Sequence, residues 1–277
     1  MENQMARERT SASTMHRSER ISAILERLAC GGTVNAVDVA KELGVSVATI
    51  RRDLSLLDEQ NLLIRTHGGA VGRTMAHEVP VCYREGKRRA AKQAIARMAM
   101  RCMTSGQQVV AINGGSTTAE VARLLATWTD LTVVTNALNV AAALVNKPRL
   151  KLVVTGGVAR PNSYELVGPM AEGAFGRLNI DTAFIGIDGI NAATGLSTYD
   201  TVEAQINALM ISRARRVVVV ADGSKIGRNV LAHVADLRLV NELVTDSTAD
   251  SEELAAIAAW GVRVTIAEPG GRGTRPV

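Results

Sequence analysis

The stretch VSVATIRRDL, residues 45–54, places apolar residues at helical spacing and gives the helix an unusual polar face. On a helical wheel Val47, Ile50 and Leu54 fall on one side. The other side and its flanks carry small residues, hydroxyls and guanidinium groups, namely Ala48, Thr49, Arg51, Arg52 and Ser55. Small residues let a helix sit deep in the major groove of DNA, where arginine and threonine contact bases or phosphates. The alternative is a small helical bundle whose arginine pair is simply solvated.

Two further helices are expected before this one. Apolar residues at i, i+3, i+4 and i+7 within residues 21–28 predict the first helix. Asn35 and Gly44 are suited to the start and the end of the second. Ser46, only two residues after Gly44, can cap the third helix and is included among the expected DNA-binding residues. A helix, a tight turn containing glycine and another helix form the helix-turn-helix pattern.

The segment NLLIRTHGGAV, residues 61–71, predicts a short hairpin after the third helix. Such a wing would carry Arg65 and His67 near the DNA backbone or minor groove. No second His or Cys lies close to His67 in sequence, so a turn or phosphate contact is favoured over a metal ligand. Residues 17–72 are therefore interpreted as a winged helix-turn-helix DNA-binding domain.

The composition is that of a globular protein with two domains. The chain has 277 residues, of which 47% are hydrophobic and only 3% aromatic, so its core is aliphatic. A net charge of +5 is compatible with a polyanionic partner. Three scattered cysteines without a CxxC pair read as reduced thiols, and no signal peptide or membrane span is evident. We expect a soluble, cytoplasmic protein that does not bind membranes, with disordered tails at residues 1–16 and 268–277.

A linker and a basic helix are expected to connect the two domains. Residues 73–86 have poor periodicity and are interpreted as the linker. The densest basic stretch, Arg84–Arg101, overlaps a helix expected at about residues 87–103. Positive charge at a helix start is unfavourable for the helix dipole, so these side chains are expected to face outward, or toward another subunit or DNA.

From residue 107 onward, short β-branched runs alternate with helical segments. The expected strands are 109–113, 131–135, 151–155, 182–187, 216–221 and 242–245, and the expected helices are 117–126, 137–145, 169–176, 201–213 and 251–259. Continuous apolar strands separated by helices predict a mostly parallel sheet covered on both faces. Residues 87–267 are therefore interpreted as an α/β domain, larger than the N-terminal one.

Polar and glycine-rich loops follow five of these strands, and an α/β sheet binds ligands at the carboxyl ends of its strands. The loop 113–118 leads into a helix and offers N–H groups for a phosphate. Lys225 would add an ammonium group, and Asp188 or Glu203 could accept hydrogen bonds from sugar hydroxyls. The complete expected pocket comprises Gly114, Gly115, Ser116, Thr117, Thr118, Asn136, Gly156, Gly157, Asp188, Thr198, Glu203 and Lys225. Each loop alone could serve only to turn a strand into a helix.

The pattern of the whole chain resembles the DeoR family of transcriptional regulators. The N-terminal signature is Arg20, Ile24 and Leu28, followed by Ser46, Thr49, Ile50, Arg51, Arg52, Asp53 and Leu54, and the resemblance extends through LIRTHGGA to Ala70. The C-terminal landmarks are GGSTT (114–118), VVTN (133–136), GG (156–157), VGP (167–169), DGI (188–190), GLST (195–198), Asp200 with Glu203, and ADGSKIGR (221–228). The resemblance covers all but the tails and the linker.

The resemblance implies a winged helix-turn-helix domain joined to a sensor domain similar to ribose-5-phosphate isomerase. It implies a repressor of sugar-utilisation genes that binds double-stranded operator DNA as a homodimer or homotetramer and is released by a phosphorylated sugar. No cofactor, metal site or catalytic residue is expected. The isomerase kinship keeps two alternatives open: a sugar-phosphate isomerase, which would need a carboxylate base such as Asp188, Asp200 or Glu203, and a non-catalytic sugar-phosphate binding protein.

Overall fold

A computed structural model describes residues 16–60, 62–72, 78–103, 106 and 108–268. The chain divides into two compact units, Met1–Val79 and Pro80–Val277. The two tails interpreted as disordered lie outside the described residues, apart from His16 and Glu268.

The N-terminal unit contains three helices and a small antiparallel sheet. In chain order these are α1 (Arg17–Gly31), β1 (Thr33–Asn35), α2 (Ala36–Leu43), α3 (Val47–Glu59), β2 (Leu63–Arg65) and β3 (Gly69–Gly72). The side chain of Asn35 accepts a hydrogen bond from the backbone of Val37, and that of Ser46 accepts one from Thr49. Gly44 adopts the left-handed conformation that ends α2. The helix-turn-helix expected from the sequence is confirmed.

The expected hairpin is part of a larger sheet. Strands β2 and β3 pair as predicted, but β3 lies in the middle because β1 pairs with its other edge. The glycine at position 69 allows this close approach, since a Cβ there would lie 1.8 Å from the carbonyl oxygen of Val34. Strand β1 was not expected, because three residues between two helices carry no periodic signal.

The C-terminal unit is built around seven parallel strands. They are β4 (Gln108–Ile112), β5 (Leu131–Thr135), β6 (Leu150–Val154), β9 (Ile180–Ile185), β12 (Ala214–Val220), β14 (Glu242–Asp246) and β15 (Arg263–Ala267). The smaller strands are β7 (Val158–Ala159), β8 (Leu166–Val167), β10 (Gly189–Asn191), β11 (Gly195–Thr198) and β13 (Ala232–Ala235). The predicted winged helix-turn-helix followed by an α/β domain with a mostly parallel sheet is therefore the observed fold class.

Helices cover the large sheet. They are α4 (Val81–Arg84), α5 (Arg89–Ala99), α6 (Ser116–Leu125), α7 (Leu138–Leu144), α8 (Pro169–Phe175), α9 (Thr201–Arg213) and α10 (Ser251–Ala258), with short 3-10 turns at Met100–Cys102, Gly223–Lys225 and Leu237–Leu239. Two aliphatic clusters pack against the sheet. The expected strands and helices from residue 107 onward agree with these bounds to within two residues.

The strand order shows where along the sheet a ligand-binding crevice is expected. Across the sheet the order is β15-β14-β12-β9-β4-β5-β6, so the connections run in one direction from β4 to β6 and in the other from β9 to β15. Strands β4 and β9 are neighbours at the point where the order reverses. In parallel sheets the crevice outside the carboxyl ends at this point is where ligands bind. The loops after β4 and β9 are those at Gly114 and Asp188.

Part of the expected linker belongs to the C-terminal unit. Residues 81–84 form the helical turn α4, whose Val81 is fully buried. The backbone N–H of Val81 donates to the carbonyl oxygen of Asn162 at 2.7 Å. Residues 81–84 of the segment interpreted as linker therefore belong to the second unit, because the buried Val81 and its hydrogen bond tie α4 to it. Residues 73–77 lie outside the described part of the chain.

Candidate functional site

Helix α3 presents the polar face that the sequence predicted. Ala48, Arg51 and Arg52 are exposed, while Ile50 and Leu54 are buried against the rest of the unit. The apolar side of the helix thus packs into the core of the N-terminal unit. Its guanidinium groups remain free to reach a polyanion.

Two hydrogen-bonded pairs fix the edges of this face. The hydroxyls of Ser46 and Thr49 lie 2.8 Å apart, next to the start of α3. Arg65 of the hairpin donates from Nη1 to Ser55 Oγ at 2.9 Å, and Ser55 donates to the carbonyl oxygen of Arg51. The hairpin is therefore linked to α3 through one arginine. His67 is exposed in the turn between β2 and β3.

A buried ion pair holds α3 against α1. Arg20 Nε donates to Asp53 Oδ2 at 2.9 Å, and Arg20 Nη2 donates to Asp53 Oδ1 at 3.4 Å. The side chain of Asp53 is only 3% exposed, and the exposed Arg17 approaches it to 3.4 Å. Two residues of the N-terminal signature thus hold the helix that carries Arg51 and Arg52 against α1.

In the C-terminal unit, a buried carboxyl group accepts a hydrogen bond from the first backbone N–H of the expected phosphate loop. Glu165 Oε1 accepts from the backbone N–H of Gly114 at 2.7 Å. A Cβ at Gly114 would lie 2.6 Å from Glu165 Cγ, so only glycine leaves room for this side chain. The N–H groups of Ser116–Thr118 open helix α6 and have no acceptor within it. They are the donors that remain for an anion.

Glu165 is held in an environment that favours its protonated form. Burial raises the pKa of its carboxyl group well above the ordinary value, and the nearby charge of Glu203 raises it further. Asn136 Nδ2 donates to Glu165 Oε2 at 3.2 Å. Among the described residues, nothing donates a hydrogen bond to the buried Oδ1 of Asn136. Asn136 itself is fully buried beside Glu165.

Asp188 joins two cations beside the switch point. Its Oδ1 accepts from Arg84 Nη1 at 2.8 Å and from Lys225 Nζ at 3.0 Å, and its Oδ2 accepts from Thr198 Oγ1 at 3.1 Å. Burial alone would raise the pKa of Asp188, but the charges of Lys225 and Arg84 outweigh it and hold the pKa well below its usual range. The structure therefore brings Asp188, Thr198 and Lys225 together as expected, with Asp188 fully ionised.

A second acidic group continues this network. Glu203 Oε1 lies 2.9 Å from the Thr198 hydroxyl, which also contacts Asp188. Arg160 forms ion pairs with Glu203 and with Asp200. Asp200 also caps helix α9 by accepting from the backbone of Val202 and Glu203. Positive and negative side chains thus alternate through the site, which suits a ligand that carries both an anion and hydroxyl groups.

The basic stretch around α5 partly faces inward, contrary to the expectation. Arg88 Nη1 bonds Asp222 Oδ1 at 2.9 Å, and the Nζ of Lys92, which is 4% exposed, donates to the carbonyl oxygen of Arg84. Arg89 and Arg97 do face solvent. Periodicity identified the helix, but the acidic partner Asp222 comes from a strand end more than one hundred residues away. The expectation that all these side chains look outward is wrong.

Burial of Lys92 predicts a pH-dependent stability. Burial lowers the pKa of Lys92 from 10.5 to about 8, against the opposing charge of Asp222. Between these values the unfolded chain keeps the proton that the folded unit has lost, so stability rises with pH from about 8 to about 10. We expect Lys92→Met to gain on the order of 2 kcal/mol over the wild type at pH 7, an advantage that shrinks toward pH 10.

Melting temperatures of both proteins at pH 7, 8, 9 and 10 measure this difference, since groups common to both cancel. The exposed Lys151→Met variant is the matched control and should follow the wild type throughout. A constant offset between Lys92→Met and the wild type at all four values would contradict the prediction.

Two residues of the expected pocket have a packing explanation. Gly156 and Gly157 both have positive φ, at +74° and +129°. A Cβ at Gly157 would lie 2.7 Å from the carbonyl oxygen of Val167, and one at Gly156 would lie 3.6 Å from Met170 Cε. These glycines turn the chain from β6 into β7, and the contacts found for them do not include the residues around Asp188.

The site also contains residues that the sequence reasoning did not assign to it. They are Arg84, Arg88, Lys92, Arg160, Glu165 and Asp222. The run ADGSKIGR contained Asp222, and the basic stretch contained the first three, so both signals were visible. Glu165 lies in an irregular segment after Tyr164, which has φ of 61°, and no local pattern marks it.

Comparison with known proteins agrees with both halves of this description. Residues 20–74 match the model of the DeoR-like helix-turn-helix domain, and residues 87–247 match that of the DeoR C terminal sensor domain. The chain belongs to the DeoR family. The resemblance drawn from the sequence motifs is thereby confirmed. The polar face of α3 and the residues Asp188, Thr198 and Lys225 fall within the matched ranges of this DeoR-family chain, whereas Arg84 lies between the two ranges.

Named relatives align along most of the DeoR-family chain. The HTH-type transcriptional regulator GlpR of Haloferax volcanii is 36% identical over 248 residues, covering 89% of this chain and 96% of GlpR. The glycerol-3-phosphate regulon repressor of Escherichia coli strain K12 is 31% identical over 233 residues, covering 84% of this chain and 92% of the repressor. Ribose 5-phosphate isomerase A of Methanocaldococcus jannaschii superposes with a TM-score of 0.34 at 16% identity, covering 50% of this chain and 53% of the isomerase.

Within the described residues, neither a membrane-spanning helix nor a metal-binding cluster is found. No helix there is long and apolar enough to cross a bilayer. Nor do three or more His, Cys, Asp or Glu side chains in these ranges gather in a way that could hold a metal ion.

Proposed function

We propose that this protein is a DNA-binding transcriptional repressor of carbohydrate-utilisation genes, released from its operator by a phosphorylated sugar. The observation that carries the proposal is that one DeoR-family chain combines an exposed arginine face on α3 with a cation-rich site at the switch point of a parallel sheet. The relatives named as repressors support the same reading.

On the DNA side, α3 enters the major groove with Ser46, Ala48, Thr49, Arg51, Arg52 and Ser55, while Arg65 and His67 of the hairpin approach the backbone. A single short helix reads only a few base pairs, so a homodimer or homotetramer reads repeated half-sites. Arginine in this setting either reads guanine with two hydrogen bonds or clamps a phosphate.

On the effector side, the N–H groups at the start of α6 hold the phosphate, because a helix N-terminus favours an anion. Lys225 and Arg84 supply positive charge within the same site. Glu165, Asn136 and Glu203 offer hydrogen-bonding groups for the sugar hydroxyls. Release from DNA requires that the phosphorylated sugar bind the DNA-incompetent arrangement more tightly, and DNA then weakens sugar binding by the same factor.

We propose sensing rather than catalysis at this site. An isomerase needs a carboxylate free to remove a proton from carbon. Asp188 is engaged by two cations and Glu203 by Arg160, and the Thr198 hydroxyl lies within hydrogen-bond distance of both carboxylates and donates to one of them. Both carboxylates are thus held as charge partners. Incubation with aldose and ketose phosphates is expected to give no interconversion.

A gel-shift assay with DNA from upstream of the flanking genes tests the function directly. The protein is expected to retard one fragment, and one of a panel of phosphorylated sugars is expected to release it, while the unphosphorylated sugars have no effect. Failure to retard any upstream fragment would contradict the proposal that the protein is a DNA-binding regulator. Retardation that no phosphorylated sugar reverses would contradict the proposal that a phosphorylated sugar is the effector.

Truncation of Arg52 is expected to weaken operator binding without touching the sensor. Arg52→Ala should lose roughly 1–3 kcal/mol of discrimination if the side chain reads a base, or lose affinity equally for all sequences if it contacts a phosphate. Titrations at several salt concentrations separate the two cases, since loss of a phosphate contact also flattens the salt dependence. The exposed Lys41→Ala variant serves as a control, and wild-type affinity for Arg52→Ala would contradict the assigned role.

A further inference from the structure

Helices α5 and α6 pack against each other and carry exposed arginines on their outer surface. Arg89 and Arg97 are eight residues apart on α5, which places them on one side of that helix, about 12 Å apart along its axis. Arg101 follows on the 3-10 turn after α5, and Arg123 belongs to the second turn of α6. These four exposed side chains, Arg89, Arg97, Arg101 and Arg123, form the α5–α6 basic face.

An open groove of about 260 Å³ lies between the two helices within this face. Arg97 lines the groove from α5, and Arg123 lines it from α6. The apolar side chains of Ala96 and Leu124 form another part of its surface. An extended anionic chain lying in the groove would therefore have a guanidinium group on either side of it.

Positive charge dominates this surface. Among the described residues that line the groove, Glu120 is the one acidic side chain, and it is only 9% exposed. Its Oε1 atom lies 2.6 Å from Arg123 Nη1 and 4.0 Å from Arg89 Nε. Both arginines nevertheless remain accessible, at 67% exposure for Arg89 and 48% for Arg123. Four guanidinium groups against one carboxylate leave the α5–α6 basic face with a net charge of +3.

The chemistry of the α5–α6 basic face fits the phosphodiester backbone of a nucleic acid. A guanidinium group binds phosphate oxygens with paired hydrogen bonds. One strand of duplex DNA carries a phosphate for about every 3.4 Å of helix axis, so the distance of about 12 Å from Arg89 to Arg97 corresponds to about three phosphates. Phosphate contacts carry no sequence information, so binding at this face is independent of base sequence.

Duplex DNA is favoured over an acidic protein as the occupant, because the polar face of α3 already brings this chain to DNA under the proposed function. Once α3 is bound, a second contact between the same chain and the same DNA molecule is intramolecular. A contact that is weak by itself then adds to the total affinity. A separate acidic partner would have no such advantage.

We infer that the α5–α6 basic face binds the phosphate backbone of the DNA that flanks the operator half-sites. This role depends on the proposed function and goes beyond it, because it gives the C-terminal unit a DNA contact of its own. The two contacts differ in kind: α3 selects the sequence, whereas the α5–α6 basic face adds affinity that depends on salt and on the length of the DNA.

The test uses the full-length chain and two fragments of retarded upstream DNA, one trimmed to the shortest length that is still retarded and one extended by about two helical turns on each side. The variant Arg97→Gln with Arg101→Gln removes two charges and leaves both partners of Glu120 in place. Gel shifts at several salt concentrations measure its affinity. On the extended fragment we expect about tenfold weaker binding than the wild type, and a log–log salt dependence shallower by about 1.8, since each phosphate contact contributes about 0.9.

On the trimmed fragment, the variant and the wild type are expected to bind alike, because the flanking phosphates are missing. The matched control is Arg177→Gln with Arg215→Gln, which removes two exposed arginines elsewhere in the same unit. This control loses the same charge and should bind both fragments as the wild type does. Melting temperatures of both variants should match that of the wild type.

The possible outcomes separate this role from the function on which it depends. Failure of the wild type to retard any fragment would end the proposed function, and the flanking contact with it. Equal binding of both fragments by the wild type, or an unchanged salt dependence in Arg97→Gln with Arg101→Gln, would leave the function intact and overturn the flanking contact. An equal loss on both fragments, or an equal loss in the control, would overturn it too. So would sedimentation showing that the variant has lost the wild-type oligomeric state, because the face would then bind a second copy of the chain.

Discussion

Asp53→Ala is expected to lower the free energy of unfolding of the N-terminal unit by about 3–5 kcal/mol, the typical cost of removing one partner from a buried ion pair. Arg20, which is 9% exposed, would lose the carboxylate that balances its charge. The helix carrying Arg51 and Arg52 would lose its attachment to α1 at the same time. Operator binding should therefore fail at temperatures where the sensor unit is still folded.

Hydrogen exchange followed by mass spectrometry measures this on the intact chain, because peptides from α1 and α3 report the opening of this unit alone. Arg17→Ala is the matched control: Arg17 approaches the same carboxylate but is 58% exposed, so its loss should cost at most about 1 kcal/mol. Replacing both partners together, Arg20→Met with Asp53→Leu, should recover part of the stability. Equal effects of Asp53→Ala and Arg17→Ala would show that the buried pair does not hold the two helices together.

Under the proposed function, Lys225→Ala is expected to give a protein whose operator binding no longer responds to a phosphorylated sugar. A hydrogen bond to a charged group contributes roughly 1.5–3 kcal/mol, and the lost ammonium is also the main charge that keeps Asp188 ionised. We expect affinity for the sugar phosphate to fall by about 100-fold and operator affinity to stay within twofold of the wild type. Calorimetry with the phosphorylated sugar and gel shifts with the operator check the two halves separately.

Lys225→Arg keeps the positive charge and is expected to retain part of the response. The exposed Lys151→Ala variant on β6 should behave as the wild type. Normal sugar-phosphate affinity in Lys225→Ala would place the phosphate elsewhere. Loss of operator binding in the same variant would instead indicate that Lys225 supports the fold.

Local patterns were sufficient for the large elements of this fold. Helix α9 was expected at 201–213 and has those bounds, because Asp200 marks its start with a capping side chain. The apolar face of α1 was likewise predictable from the spacing of its apolar residues, and the turn at Gly44 from the presence of glycine. Parallel strands rich in valine and isoleucine were recognised because burial on both faces requires such runs.

Elements that depend on distant partners were missed. Strand β1 exists because β3 presents an edge to it, and in the small sheet the local hairpin of β10 and β11 is joined by β13 from a later part of the chain. Strand β15 was also overlooked, although it pairs regularly with β14 at the margin of the main sheet. The strands of the small sheets are too short to carry a periodic signal, but β15 has one that was overlooked, since Val262, Val264 and Ile266 alternate with Arg263 and Thr265.

The candidate site likewise combines residues that local sequence patterns predict with residues that only distant contacts reveal. Asp188, Thr198 and Lys225 were expected because each follows a strand, and parallel strands bring such residues to one edge. Which charges would meet there could not be inferred, since the partner of Asp188 on the other side is Arg84, from a segment interpreted as linker. Glu165 acquires its importance only through the backbone of Gly114, fifty-one positions earlier.

The placement of β4 between β5 and β9 has a consequence for synthesis on the ribosome. The phosphate loop is made early, but the groups that complete the pocket arrive with Asp188 and finally Lys225, long after the DNA-reading helix has emerged. Under the proposed function, a growing chain can therefore fold its DNA-binding unit before its effector site is complete. Chains that end before Lys225 would, under the same proposal, bind the operator without responding to a phosphorylated sugar.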